Sequence, residues 1–384
     1  MRLRLLPFLL VLLVAAAFQP RVRAQAAAAP DLKQNITNLA SLDFPVRMQA
    51  ARLIRRTAET QAVPALKEAA RRDANEFVRY RALVLLTAFN DRGTRDLMRE
   101  LMRDRNDRVR EVVFKWFERN PDPQLADTLV MSLQTEQSEF VRPALVGALA
   151  ALGSDVTVQR AMLPEIGRGL DFFRSAVIDA LGRHRAVYAV EAIAATSKLE
   201  GPLQDDSLLA LGRIGGTRAT TAIGEFTGGT PEAAQMIRGV RCLIGELCAE
   251  QITALVAAAS SDEGRPSTVR GAIDALEAVA QSRNEAALSA LFGLAKNTAL
   301  RESVAVAVAS VALRQPDWTV ERLNAADGPT RESVITMIKD GFDSLEEDFA
   351  EEQFFASVRA GYWRAADGSS GRSLASTLIQ RLEF

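Results

Sequence analysis

An apolar residue followed by arginine recurs along this 384-residue chain about every 30 to 34 residues. An acidic or hydroxyl residue usually stands three positions before the arginine, as Glu76 does before Arg79. The seven steps are Val46-Arg47, Val78-Arg79, Val109-Arg110, Val141-Arg142, Phe173-Arg174, Val269-Arg270 and Leu300-Arg301. Such regular spacing predicts an array of like units, each of which buries its apolar face against its neighbours.

Apolar residues within each unit follow a helical period. In the first unit, Val46, Ala50, Leu53 and Ile54 share one helix face, and a second apolar run opens at Val63 after a break. Glycines in the later turns repeat the same spacing. No window alternates apolar and polar residues as a strand would, so the sequence predicts an all-α solenoid of about nine to ten helix pairs.

A known family shares this order of residues. The order apolar-Arg, small residues, then Leu-Gly, as in residues 173–182, resembles a HEAT repeat, and Ala210-Leu-Gly-Arg-Ile-Gly-Gly216 resembles the bacterial HEAT-like repeats of bilin lyases. The resemblance covers about residues 36–340 and implies a right-handed superhelix used mainly as a protein-binding scaffold. Later units depart from the pattern, with Gln204 in place of arginine in the sixth and only Arg331 kept in the tenth.

The first residues have a different character. Arg2 and Arg4 precede an apolar run from Leu5 to about Phe18, and Val22-Arg23-Ala24 offers a small-x-small cleavage pattern. Residues 1–24 therefore read as a signal peptide, cleaved near Ala24, which predicts a periplasmic or secreted protein without stable membrane insertion. The alternative, a retained anchor, needs about 20 apolar residues, and this run is shorter.

Composition divides the rest of the chain into three segments. Residues 25–35 are rich in alanine and predict a flexible spacer, and residues 36–340 form the predicted solenoid. In residues 341–384, an acidic amphipathic helix over Phe342–Phe349, a Gly/Ser loop and a last apolar run suit a terminal cap. The alternatives are a partner-docking tail and an acidic segment that folds back on the basic end of the array.

Charge is unevenly distributed along the array. Without residues 1–24, 43 basic residues face 48 acidic ones, a net charge of −5, which argues against a general nucleic-acid binder. Residues 43–120 nevertheless hold 18 Lys and Arg against 12 Asp and Glu, whereas residues 301–384 hold 9 against 14. One end of the array is therefore basic and the other acidic.

A basic stripe is the candidate partner-binding site. Lys67, Arg71, Arg95, Arg99 and Arg103 follow helical spacing on the second helices of the first two units. If second helices line the concave surface, the stripe would receive an acidic segment of a protein or peptide. Acidic side chains stand beside it, so the alternative is a solvated face of mixed charge.

The repeated arginines favour a structural role. Except for Arg47, each stands three residues after an N-cap candidate such as Glu76 or Asp107, so ion pairs within or between repeats are within reach. The sequence thus predicts a ladder that ties neighbouring units together. Its members are Arg47, Arg79, Arg110, Arg142, Arg174 and Arg270.

Four phenylalanines stand just before these steps: Phe44, Phe77, Phe140 and Phe172. Their position favours packing against the following turn or the neighbouring helix. The alternative is an exposed aromatic stripe on which a sugar or peptide would stack.

The cysteines and the single histidine offer no reactive site. Cys242 and Cys248 lie in a stretch that reads as one helix, which predicts two buried thiols, and a disulfide would require the helix to end before Cys248. His184 reads as a solvated turn residue, and with two distant cysteines it supplies no zinc ligand set.

The expectation for function is a non-catalytic exported scaffold without metal or cofactor, because no nucleophile, phosphate loop or triad is present. It would bind a protein or peptide along its concave face. The alternatives are a cofactor-handling enzyme related to bilin lyases and a structural protein of the cell envelope.

Overall fold

The computed structural model describes residues 31–89, 91–199, 201, 203–226, 230–261, 265–345 and 347–382. All the regular elements in those ranges are helices, so the predicted all-α fold is confirmed. The α-helices are α1 Leu32–Asn38, α2 Phe44–Arg55, α3 Glu59–Arg72, α4 Glu76–Leu86, α5 Thr94–Leu101, α6 Asp107–Arg119, α7 Ala126–Thr135, α8 Val141–Ala150, α9 Val156–Met162, α10 Asp171–Arg183, α11 Val190–Ser197, α12 Leu203–Ile214, α13 Gly216–Gly224, α14 Pro231–Leu243, α15 Cys248–Ala259, α16 Pro266–Gln281, α17 Glu285–Leu294, α18 Arg301–Arg314, α19 Pro316–Ala325, α20 Gly328–Leu345, α21 Asp348–Arg364 and α22 Ser370–Leu382.

Nine consecutive helix pairs, from α2–α3 to α18–α19, form the solenoid. The even-numbered helices from α2 to α20, here the inner helices, include those that begin at the apolar-arginine steps, and from α4 onward each packs on the next inner helix. Short polar side chains start several of them: Asp43, Asn75 and Asn106 each accept a backbone N–H of the first turn. The N-caps of α4 and α6 are thus one residue earlier than the sequence pattern indicated.

Small residues bring neighbouring inner helices close together. A Cβ on Gly182 of α10 would lie 2.7 Å from the Cα of Ala210 on α12. A Cβ on Gly341 of α20 would overlap the carbonyl oxygen of Ala305 and the Cβ of Ala309 on α18. Because bulkier side chains would hold these axes apart, the small residues favour a stack whose concave side is formed by the inner helices.

The C-terminal region closes the array differently from the prediction. The expected helix over Phe342–Phe349 is divided, because α20 ends at Leu345 and α21 begins at Asp348. Helix α22 packs on α19 and α20, in the place of an outer helix, and α21 packs on α22. Helix α21 also contacts α4, near the other end of the chain. The acidic C-terminal segment therefore folds back on the basic end.

At the N-terminus, α1 begins at Leu32, inside the segment predicted as flexible spacer, and buries Asn35. Helical structure therefore starts about four residues earlier than residue 36, with α1 ahead of the first helix pair of the solenoid. The predicted signal peptide, residues 1–24, lies outside the described residues.

Cys242 and Cys248 form a disulfide, so the expectation of two free thiols was wrong. Helix α14 ends at Leu243, and Gly245 follows with a left-handed φ of 87°. The chain turns there, and the two Cα atoms lie 4.1 Å apart.

Candidate functional site

A cavity of about 960 Å³, here the central cavity, lies at the C-terminal ends of the inner helices. Arg119, Arg183, Arg213 and Arg314 reach it from the last turns of α6, α10, α12 and α18. Cations are favoured at that end of a helix, where the unpaired carbonyl groups carry partial negative charge. The stack therefore gathers these arginines into one space.

The carboxylate of Asp179 binds three of these four arginines. Asp179 accepts Arg183 Nε at 2.8 Å and Arg213 Nη1 at 2.6 Å, and Arg314 Nη2 lies 3.8 Å away. Burial alone would raise the pKa of the Asp179 carboxyl, but the three guanidinium charges lower it strongly. Asp179 thus stays ionised, although protein encloses most of its side chain and water reaches only the remainder.

Glu118 is a second carboxylate that binds basic side chains of the central cavity. Its Oε1 accepts a hydrogen bond from Arg183 and lies 3.1 Å from His184 Nε2. The expectation that His184 is a solvated turn residue was wrong, because its ring is half-buried against this carboxylate. Burial works to raise the pKa of Glu118, but the bonds from His184 and Arg183 lower it.

A second cavity, of about 530 Å³, lies between the N-terminal repeats and the C-terminal region. Phe342 and Phe355 form its apolar side together with residues of α2 and α4. Arg47, Arg81 and Arg108 lie along its walls. We call it the N-terminal cavity.

Residues 347–355, here the C-terminal clasp, border both cavities. Its most buried contact is Glu352, whose side chain is 1% exposed and which accepts Arg55 Nη2 at 2.5 Å and Arg359 Nη2 at 2.9 Å. Burial raises the pKa of Glu352, but the two arginines lower it overall. A charge this deep is stable only because both cations bind it.

Further polar contacts attach the clasp to α4 and α6. Tyr80 Oη donates to Asp348 at 2.8 Å, and Lys115 Nζ lies 2.7 Å from Glu347. Burial, and then Asp348, raise the pKa of Tyr80, so its hydroxyl keeps its proton. Between these contacts, burial and neighbouring acids raise the pKa of Glu351 to about 7.

The basic stripe lies elsewhere. The residues that line both cavities come from the inner helices, the turns that follow them and the clasp, so the assumption that second helices form the concave face was wrong. Four stripe residues bind carboxylates of the following turns or helices: Lys67 with Asp91, Arg71 with Glu100, and Arg95 and Arg99 with Asp122. Arg103 is exposed. That these five side chains bind a partner stays a prediction.

The ladder arginines bind two successive turns between repeats. Arg79 donates to the carbonyl oxygen of Asp73 at 3.1 Å and to the Asp104 carboxylate at 3.2 Å. Arg110 repeats this with the carbonyl oxygen of Asp104 at 2.8 Å and with both oxygens of Glu136 at 2.8 and 2.9 Å. Each guanidinium thus ties the turn before its helix to the turn after its repeat.

Other members keep part of this pattern. Arg142 binds Glu165 at 3.3 Å, Arg47 donates to the Ser41 carbonyl, and Arg174 donates to the Ile166 carbonyl and pairs with Asp171. In the sixth repeat Gln204 donates to the Ser197 carbonyl, and in the tenth Arg331 donates to the Leu323 carbonyl. Arg270 differs, since it is exposed and its charge acts on Asp274 one turn later.

Replacing Arg110 with alanine should lower the free energy of unfolding by about 2–3 kcal/mol at pH 7, because Glu136 would keep its partly buried charge without its cation. Arg110 lowers the pKa of Glu136, although burial opposes this. The stabilisation is therefore present above pH 4.5 and is lost on acidification, so the variant should lose less stability than the parent as the pH falls. Urea titrations at pH 7 and pH 4 measure both effects. An equal loss in the exposed control Arg105→Ala would contradict this role.

Phe44, Phe77, Phe140 and Phe172 are 53–66% exposed, so the expectation that the following turn or the neighbouring helix covers them was wrong. They lie at the starts of inner helices in four of the first five repeats, two or three residues before the repeat arginine, and form a surface that we call the aromatic edge. Arginines lie over three of the rings: Arg47 over Phe44, Arg81 over Phe77 and Arg108 over Phe140, with the guanidinium carbon 4.8–5.5 Å from the ring centre.

The described ranges contain neither a cluster of metal ligands nor a helix that could span a membrane. No group of three His, Cys, Asp or Glu side chains there could hold a metal ion. Among the helices of that part of the chain, none is long and apolar enough to cross a bilayer.

Sequence reasoning missed Asp179 and Glu352, the two carboxylates that organise the inner face. Each binds arginines from distant parts of the chain, Arg314 in the first case and Arg55 in the second. Charged residues on an otherwise apolar helix are ordinary at a surface, so the sequence carries no local signal that distinguishes these two.

The stacked helix pairs and the concave inner face define an α-solenoid. The family model for HEAT repeats matches residues 29–115, and the same helix pairs continue to α19. The chain contains HEAT repeats. No curated protein matches it.

Several solved structures are similar to this chain at low sequence identity. Human deoxyhypusine hydroxylase in complex with glycerol is 19% identical over 68% of this chain and 98% of its own, with a TM-score of 0.30. The complex of CpcE and CpcF of phycocyanin lyase from Nostoc sp. PCC7120 is 19% identical over 65% and 93%, with a TM-score of 0.37. Yeast importin-beta (Kap95p) is 12% identical over 91% and 56%, with a TM-score of 0.38.

Proposed function

We propose that this protein is a non-catalytic scaffold that binds a protein or peptide across the aromatic edge and the adjoining concave face. The observation that carries this proposal is the repetition of an exposed phenylalanine at the start of the inner helix in four of the first five repeats. Large exposed apolar side chains are costly in water unless a partner covers them, and aromatic residues and arginine are enriched in protein interfaces.

The geometry of the edge favours an extended contact. One phenylalanine from each of four repeats, with Arg108 at the corresponding place in the third, gives a row of anchors, and an arginine that can also reach a carboxylate of the partner accompanies three of them. Phe44 and Phe77 also border the N-terminal cavity, where a partner side chain could be buried. An acidic segment with apolar side chains fits this combination.

Export to an oxidising compartment belongs to the same proposal. The apolar run of residues 5–18 supports it, and so does the disulfide between Cys242 and Cys248, because such bridges persist outside the reducing cytosol. Measurement of the mature N-terminus of the protein from its native host would test it. A chain that keeps residues 1–24 would contradict the cleavage.

The test of the binding function uses crosslinking and co-purification from native membranes and periplasm with a double variant, Phe77→Ser and Phe140→Ser. Both rings are more than half exposed, so we expect the variant to fold and its melting temperature to stay within about 2 °C of the parent. A partner captured by the parent should be lost.

The matched control is Met131→Ser, which removes an equally exposed apolar side chain (62%) from outer helix α7. It should retain the partner. If the phenylalanine variant captures the same partner as the parent, the aromatic edge is not the binding surface.

A further inference from the structure

The central cavity holds more positive than negative charge. Seven cationic side chains line it: Lys115 and the six arginines Arg119, Arg183, Arg185, Arg213, Arg283 and Arg314. The carboxylates that face them in the described part of the chain are Glu118 and Glu347, which line the cavity, Asp179 beside it, and Glu111, which lies 3.0 Å from Lys115 Nζ. Glu277 lies nearby, but burial raises its pKa to about 7, so it carries only part of a charge at neutral pH.

Ion pairs occupy some of these cations and leave others available. Arg183, Arg213 and Arg314 bind Asp179, and Lys115 binds Glu347. Arg119 instead lies over the ring of Phe349, with 5.5 Å to the ring centre, and Arg283 donates to the neutral Gln315 side chain at 2.8 Å. Arg185 is exposed on the wall. Arg119, Arg185 and Arg283 form no ion pair with any described carboxylate.

Two of these three arginines stand at strained backbone positions. Arg185 follows α10 with φ at 51°, and Arg283 follows α16 with φ at 66°. The turns after α12 and α14 also have positive φ, but at Gly215 and Gly245, and glycine is the residue type that this region favours. Strain of this kind is concentrated at binding and active sites. Here the two strained positions are those of Arg185 and Arg283, which form no ion pair and line the same cavity.

We propose that the central cavity binds a compact organic or inorganic anion with at least two anionic groups, such as a diphosphate or a tricarboxylate. Arg119, Arg185 and Arg283 would bind this anion directly. The arginines around Asp179 would attract it electrostatically from a greater distance. The cavity volume of about 960 Å³ lies at the upper end of the range for small-molecule sites. Guanidinium groups suit this ligand class because they donate paired hydrogen bonds to phosphate and carboxylate oxygens.

The partly enclosed site should prefer a multivalent ligand over chloride. Asp179 holds Arg183, Arg213 and Arg314 together without ligand, so the positive field around the three binding arginines is formed before binding. Several cations then act on one small anion in surroundings less polar than bulk water. A monovalent ion can satisfy only one or two of them. This proposal is independent of partner binding at the aromatic edge.

The test is isothermal titration calorimetry on the full chain, in phosphate-free buffer at constant ionic strength, with pyrophosphate, citrate and chloride as titrants. We expect saturable binding of pyrophosphate or citrate at one site and none of chloride. Binding of one but not the other assigns the site to phosphates or to carboxylates. Absence of binding by both at millimolar concentration would overturn the proposal.

The cavity variant combines Arg119→Gln, Arg185→Gly and Arg283→Gly. Its glycines suit the left-handed positions, so folding should be kept, and circular dichroism melting checks this. Affinity should fall at least about tenfold, because charge-assisted hydrogen bonds are lost. The control Arg72→Gln, Arg105→Gln and Arg168→Gln removes the same charge from exposed positions outside the cavity. The affinity of this control should stay within about twofold of the parent. An equal loss of affinity in both variants would show that the anion binds to the overall positive charge of the protein, which would overturn its assignment to the central cavity.

Discussion

Replacing Glu352 with alanine should lower the free energy of unfolding by about 3–5 kcal/mol and free the C-terminal clasp from the N-terminal repeats. The substitution removes a carboxylate that is 1% exposed and leaves Arg55 and Arg359 without their shared anion. Arg55 is itself nearly buried, so water cannot replace the lost partner fully. Urea unfolding measures the energy, and hydrogen exchange over α21 and α4 measures the release.

The matched control for this substitution is Glu332→Ala. Glu332 also pairs with an arginine, Arg381, but it is 62% exposed, so its loss should cost less than about 1 kcal/mol. Equal costs for the two substitutions would show that the clasp contributes no more than a surface ion pair. Faster exchange in α21 alone, with α4 unchanged, would show that the clasp does not protect the N-terminal repeats.

Replacing Gly341 with alanine should destabilise the protein by roughly 1–3 kcal/mol, although alanine is the better helix former. The added methyl group would overlap Ala305 and Ala309, so α18 and α20 must move apart. Differential scanning calorimetry should show a lower melting temperature.

Gly361→Ala provides a control of opposite sign. Gly361 lies in α21 with open space around its Cβ position, so alanine there should stabilise by about 0.5–1 kcal/mol. If both substitutions stabilise, close approach of the inner helices does not constrain the fold.

The repeat period, the helix pairs and the arginine ladder could be predicted because they depend on neighbouring residues and on one spacing. The assignment of faces could not. Periodicity identifies which side of a helix is buried, but the concave layer is decided by how closely axes approach across units, as at Gly182 and Ala210. Because periodicity does not identify the concave layer, Lys67 and Arg95, which lie on outer helices, were assigned from the sequence to the concave side of the stack.

Three local details were missed for different physical reasons. The turn at Gly245 offered a usable signal for the end of α14, and with it for the disulfide. Phe77 has the residue type of a core position, but its side chain is 54% exposed, and residue type alone does not decide exposure. The bond between Arg55 and Glu352 joins residues 297 positions apart, and no sequence pattern links them.

A linear stack of repeats can unfold from either end, because each terminal unit is held by a single neighbour. The clasp changes this, since α21 gives the N-terminal units a second neighbour drawn from the C-terminus. Fraying would then have to start with detachment of the clasp or with a break inside the array. The chain should consequently lose its structure as one cooperative unit, with a steeper denaturation profile than an open array of the same length.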